Sequence, residues 1–128
     1  MRFSSVNLSE SKLKNLNLLD CEFIKCELTA CKSEGASWHK VQLINSRCTG
    51  SQLQLSNLKN VVFNNVNFES CILDGAEFSS STLSKVDFRS SEISRIKGLS
   101  SIVGSIIDPT QLISIAPALA DQLNIIVE

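Results

Sequence analysis

The chain has 128 residues, a formal net charge of −1 from 12 basic and 13 acidic residues, and five cysteines. That length holds one domain with a sizeable core, and the balanced charge excludes a nucleic-acid binder driven by bulk positive charge as well as a uniformly acidic decoy. The opening MRFSSVNLSESK lacks a signal peptide's apolar run and no apolar stretch is long enough to span a bilayer, so a cytoplasmic location with buried, reduced cysteines is expected.

From Phe3 to Ile93 every fifth residue is large and apolar, as in Phe23, Leu43, Phe63 and Leu83, with Ser33 and Cys48 as the exceptions. Two residues earlier in each unit stand mostly small residues, among them Cys21, Cys26, Cys31, Ala36, Ser46, Ser51, Cys71 and Ala76, and none is charged. Every Lys, Arg, Asp and Glu before residue 98 falls in the other three positions. A period of five fits neither a helix nor a plain strand. It calls for two inward and three outward side chains per unit, then a corner. Four units closing a square make a coil of roughly twenty residues, with successive coils stacked about 4.8 Å apart. Opposite charges should then recur at that separation, and they do at Arg2/Glu22, Lys14/Glu34, Asp20/Lys40, Glu27/Arg47, Glu69/Arg89 and Glu77/Lys97, against one like-charge pair, Lys12/Lys32.

Units such as VNLSE at 6–10, CELTA at 26–30, VNFES at 66–70, AEFSS at 76–80 and VDFRS at 86–90 resemble the pentapeptide-repeat family, whose pattern is A(D/N)Lxx. The resemblance covers residues 1 to about 98, with an unbroken register and no inserted loop. It implies an all-β solenoid, a right-handed quadrilateral β-helix of about five coils. The weakest place is KSEGASW at 32–38: Ser33 underfills its central site, Gly35 loosens the corner, and the bulk of Trp38 is the candidate to fill the space. Met1 starts almost in register with no cap before it, as in a short paralogue or a fragment of a longer member.

After residue 98 the pattern stops. GLSSIVGSII reads as a closing turn or capping half-coil. Asp108 is a good N-cap, Pro109 suits the first helical position, and Gln111 completes a capping box. A helix is expected from about 109, kinked or divided at Pro117, with Asn124 as a left-handed C-cap and Ile125–Val127 as a short strand. Residues 99–128 therefore form a second segment, more apolar than one cap needs. It resembles the C-terminal helix with which several pentapeptide-repeat proteins pair about a twofold axis. The expected homodimer interface is Ile106, Ile107, Leu112, Ile115, Ala116, Leu119, Leu123, Ile125, Ile126 and Val127; the alternative is that the helix merely caps its own chain.

No chemistry-bearing constellation emerges. His39, the single histidine, falls at an outward position and reads as a solvated side chain. Cys21, Cys26 and Cys31 read as core packing, without metal-ligand spacing, and Cys31 and Cys71 are separated by the coil of Ser51. There is no phosphate-binding glycine loop, so no catalytic residue, cofactor or metal is expected. The leading expectation is a non-catalytic protein-binding or scaffolding module. The resemblance also reaches the quinolone-resistance group, dimeric rods whose acidic surface resembles duplex DNA and which bind type II topoisomerases. That alternative meets a difficulty in the charges: residues 1–98 carry all 12 bases but only 10 of the acids, because Asp108, Asp121 and Glu128 lie in the tail. Direct nucleic-acid binding and membrane insertion are not expected.

Overall fold

The computed structural model describes residues 2–10, 12, 18 and 20–128. The expected Lys14/Glu34 pair involves a residue outside these. The strands are β1 (Arg2–Ser4), β2 (Asn7–Ser9), β3 (Glu22–Ile24), β4 (Glu27–Thr29), β5 (Gln42–Ile44), β6 (Arg47–Thr49), β7 (Val62–Glu69) and β8 (Thr82–Asp87), followed by helix α1 (Pro109–Gln122). All strand pairs are parallel. On one side β1, β3, β5, β7 and β8 stack, with Phe3 facing Phe23, Phe23 facing Leu43, and Phe63 facing Leu83. The second side runs β2, β4, β6 and the far half of β7. Single bridges trace the other two sides: Lys12–Lys32–Gln52–Ile72–Glu92 and Ser37–Asn57–Glu77–Lys97. Each step is twenty residues, the spacing the charge pairs pointed to. Five stacked rungs from β1 to β8 are separated by about four turns, which corrects the expected count of about five coils.

The corners explain the period. Every described fifth residue from Ser5 to Ser90 has φ between 50° and 72°. Most are not glycine, and a left-handed residue costs roughly 1–2 kcal/mol unless it is glycine. Each corner turns two side chains inward, and a buried central Leu or Phe contributes about 1.5–3 kcal/mol. Burial therefore outweighs the corner cost, and the pattern does not need a glycine at each corner.

The interior is layered. Phe68 stacks on Phe88 with ring centroids 5.2 Å apart, and Phe78 meets Phe88 edge-on at 5.7 Å. At the small inward positions, hydroxyls and thiols donate to a backbone carbonyl 23 residues earlier: Ser51 to Leu28, Ser91 to Phe68 and Cys71 to Cys48, at 3.1, 2.8 and 3.2 Å. Ser51 and Ser91 Oγ also accept from the amides of Cys31 and Cys71 in the coil before. Ser and Cys at these sites thus tie successive coils together besides filling space. Burial raises the Cys48 thiol pKa well above its usual value, and that of Cys71 to about 11.

Trp38 resolves the weak place at 32–38. Its ring packs on Phe23 at 5.7 Å, and its indole Nε1 donates to Ser33 Oγ at 2.9 Å inside the core. A buried indole needs such an acceptor, so Ser33 is the small partner that a large one requires. Of the described charge pairs at separation twenty, Arg2–Glu22 closes to an ion pair at 2.8 Å. Arg89 turns instead to Asp87, two residues back, where Nε donates to Oδ1 at 3.1 Å and Nη2 to Oδ2 at 2.8 Å. This pairing lowers the Asp87 pKa and raises that of Arg89.

Candidate interaction surface at the C-terminal end

Residues 99–108 close the solenoid. A 3₁₀ turn at Leu99–Ser101 follows Gly98, whose φ is 79°. A side chain at Gly98 would come within 2.6 Å of the Ser79 amide nitrogen, so only glycine lets the chain pass there. Leu99 and Ile102 are buried. Ile106 then extends the second side as a partial further rung, bridging to Asp87 and exchanging backbone hydrogen bonds with Val86 and Phe88 at 2.9 Å. The step to this rung is nineteen residues, so the twenty-residue register ends here.

Helix α1 begins at a complete capping box. Asp108 Oδ1 accepts from the Gln111 amide at 2.8 Å, and Gln111 Oε1 accepts from the Asp108 amide at 2.9 Å. The other end of the same amide side chain seals the solenoid: Gln111 Nε2 donates to the carbonyls of Phe88 at 2.6 Å and Ser91 at 2.7 Å. The separation from Phe88 is again 23, so Gln111 takes the place that a hydroxyl of the next coil would fill. Ile115, one turn on, is buried at 3% exposure, and Leu119 packs half-buried beside it. The stripe 111/115/119 is the sealing face of the helix.

The opposite face is bare. Leu112, Ile113 and Leu123 are exposed, as are Ile125, Ile126 and Val127 beyond the helix. Ile113, Ala116, Pro117, Ala120, Ile125 and Val127 line a groove of about 440 Å³ between α1 and the following segment. The helix runs through Pro117 as one element, so of the expected kink or division the division does not occur. The carbonyl that loses its donor belongs to Ile113, which is 75% exposed, so solvent can take it up. Asn124 is left-handed, φ 56°, and the amides of Asn124 and Ile125 bond the carbonyls of Asp121 and Ala120, at 3.2 and 2.8 Å. This Schellman arrangement turns Ile125–Val127 back along the helix, where they pair with no strand, so the expected short strand is absent.

Of the ten residues expected at an interface, Ile115 is withdrawn by burial against its own coil, and Ile107 and Leu119 are half-buried there. Ile106, Leu112, Ala116, Leu123, Ile125, Ile126 and Val127 remain exposed. Ile113 was missed, although 113, 117 and 120 fall at helical spacing on a second apolar stripe. Eight of the eleven exposed large apolar side chains among the described residues lie after residue 102. Among the described residues, no group of three or more His, Cys, Asp or Glu side chains could hold a metal ion, and no helix is long and apolar enough to cross a membrane.

The family model of the pentapeptide repeat region matches residues 21–97, and that of pentapeptide repeats in eight copies matches 2–32. The chain belongs to the pentapeptide-repeat family. Among solved structures, this pentapeptide-repeat chain is similar to HetL, a pentapeptide repeat protein involved in heterocyst differentiation regulation from the cyanobacterium Nostoc sp. strain PCC 7120. The TM-score is 0.56 at 12% identity, covering 83% of this chain and 61% of HetL, so the chain spans about three-fifths of that protein's length. It also matches Rfr23 from the cyanobacterium Cyanothece 51142, with TM-score 0.47 and 14% identity over 84% of this chain and 88% of that one. A trypsin-treated form of QnrB1, a plasmid-mediated fluoroquinolone resistance protein, matches with TM-score 0.46 and 12% identity over the whole of both chains. Among curated proteins, none matches the chain.

Proposed function

We propose that this pentapeptide-repeat chain is a cytoplasmic, non-catalytic protein-binding or scaffolding module that works as a homodimer joined through its C-terminal segment. The observation that carries this reading is the two-faced helix. One stripe, Gln111, Ile115 and Leu119, is used to close the chain's own solenoid. The other carries the exposed Ile113 and the mostly apolar groove that Ala116, Pro117 and Ala120 form with Ile125 and Val127, with Asp121 at its side, and clustered exposed apolar side chains mark interaction surfaces. A twofold axis through such a surface covers it in both copies at once.

A DNA mimic that engages a type II topoisomerase would need an acidic row along the coils. The described outward rows mix signs instead: Arg2, Glu22, Gln42, Val62, Thr82 on one side and Glu27, Arg47, Asn67, Asp87 on the next. The charge pattern thus favours the scaffold over the mimic, and a gyrase supercoiling assay with micromolar protein separates the two.

Sedimentation equilibrium tests the dimer. The expected mass at tens of micromolar protein is twice 14.0 kDa. Ile126→Asp and Ile113→Asp, both at exposed positions, should return it to the monomer while leaving the strand signal in circular dichroism intact. A wild-type mass of one chain at that concentration overturns the reading.

A further inference from the structure

The segment that seals the solenoid is held on weaker terms than the coils it seals. In α1 the buried residues are Gln111 and Ile115, and Leu119 packs on the core only in part. Leu123 and Ile125–Val127, beyond the helix, are exposed and add no burial. The coils bury far more: Leu53, Leu58, Phe63 and Phe68 in one stretch, with Ser51, Ser56, Val61 and Val66 between them. β7 also has ladder partners on both edges, β5 and β6 on one and β8 on the other. A helix of 14 residues is marginal in water by itself, and Pro117 takes one donor out of this one. The capping box holds only its first turn, and its printed hydrogen bonds to the solenoid come from a single side chain, Gln111 Nε2.

We propose that residues 108–128 form a lid that opens by melting, as one unit, while the coils through Ile106 stay folded. Opening unfolds α1 rather than swinging it away as a rigid rod, because a helix of this length with an internal proline needs its docking contacts to persist. Ile106 stays behind, since its backbone bonds Val86 and Phe88 in the ladder at 2.9 Å. Closed, the lid occupies the carbonyls of Phe88 and Ser91 and covers the end of the core that Ile115 joins. Open, it frees both. The last rung thus alternates between a sealed end and an edge that can pair further. This equilibrium belongs to the single chain and does not depend on the pairing of two copies.

Hydrogen exchange read by mass spectrometry tests this on the full chain at about 1 µM, below the concentration at which copies are expected to pair. Peptides within 112–122 should exchange at one common rate, at least about 100-fold faster than those of β5, β6 and β7, and with a much smaller urea dependence. Pro117→Ala restores a helix donor and leaves the sealing stripe intact, so it should slow exchange in 112–122 by about tenfold or more. Phe63→Leu weakens the coils without touching the lid, and leucine already fills that inward column at Leu43 and Leu83. It should quicken exchange in β5–β7 and leave 112–122 unaltered. One rate and one urea slope for both regions overturns the proposal. So does a Phe63→Leu variant that quickens both regions alike, or a Pro117→Ala variant that leaves 112–122 unchanged.

Discussion

The two ends of the solenoid treat the same physical problem differently. At the first described rung, Phe3, Val6, Leu8 and Leu18 are half-buried, with a described coil on one side of them. β1 and β2 each pair along one edge. At the other end Leu99, Ile102 and Ile115 are buried, Ile106 continues the ladder, and Gln111 supplies donors to two terminal carbonyls. A parallel solenoid has no intrinsic stop, so its last rung needs both an apolar lid and substitute hydrogen-bond partners. The C-terminal segment provides both, and in doing so turns a new apolar face outward. Sealing one end has moved the exposed surface to α1 rather than abolished it.

The largest expected effect tests the lid. Ile115→Ala should lower unfolding free energy by about 2–5 kcal/mol, the range for a buried aliphatic truncation. Leu8→Ala, at the half-buried rung, should cost less than half as much by the same denaturant titration. Equal losses would show the two ends to be equally sealed. Gln111→Ala removes the side-chain half of the capping box and the donors to Phe88 and Ser91 together, and should cost about 2–3 kcal/mol. Hydrogen exchange in Gln111→Ala should quicken first in residues 86–106, next to the opened end, and not around β1.

The interior between the ends gives a pH test. Burial raises the Cys71 pKa to about 11. The folded chain therefore holds this proton where the unfolded chain, with a thiol near 9, has lost it. The resulting stabilisation is complete below pH 9 and fades as pH climbs to 11. A shift of two units corresponds to about 2–3 kcal/mol. Cys71→Ser should fold normally, since serine already fills the inward site at Ser51 and Ser91, and should lose less stability across that window. The smallest effect belongs to the first described rung: Arg2→Ala removes an exposed ion pair and should change stability by under about 1 kcal/mol, measured by the same titration.

The coils were legible because the period of five repeats one demand many times. Two inward side chains and three outward ones at each step leave a pattern that single exceptions do not erase. Ser33 and Trp38 looked like a defect in that pattern. Only their placement in space joined indole to hydroxyl, because the two lie on adjacent sides of one coil. Gln111 was readable as half of a capping box, a local motif four residues long. Its second role depends on Phe88 and Ser91, which the closing turn brings beneath it. The split of α1 into a sealing stripe and a bare stripe was hidden for the same reason: both are apolar, and composition cannot say which one meets the solenoid.

The sequence by itself determined the coil, its register and the point where the repeat ends, because each unit's burial depends on its own five residues and on identical neighbours. The tertiary structure alone decided which face of α1 is spent on the last rung and which is left exposed, because that choice rests on contacts between segments that obey different periods.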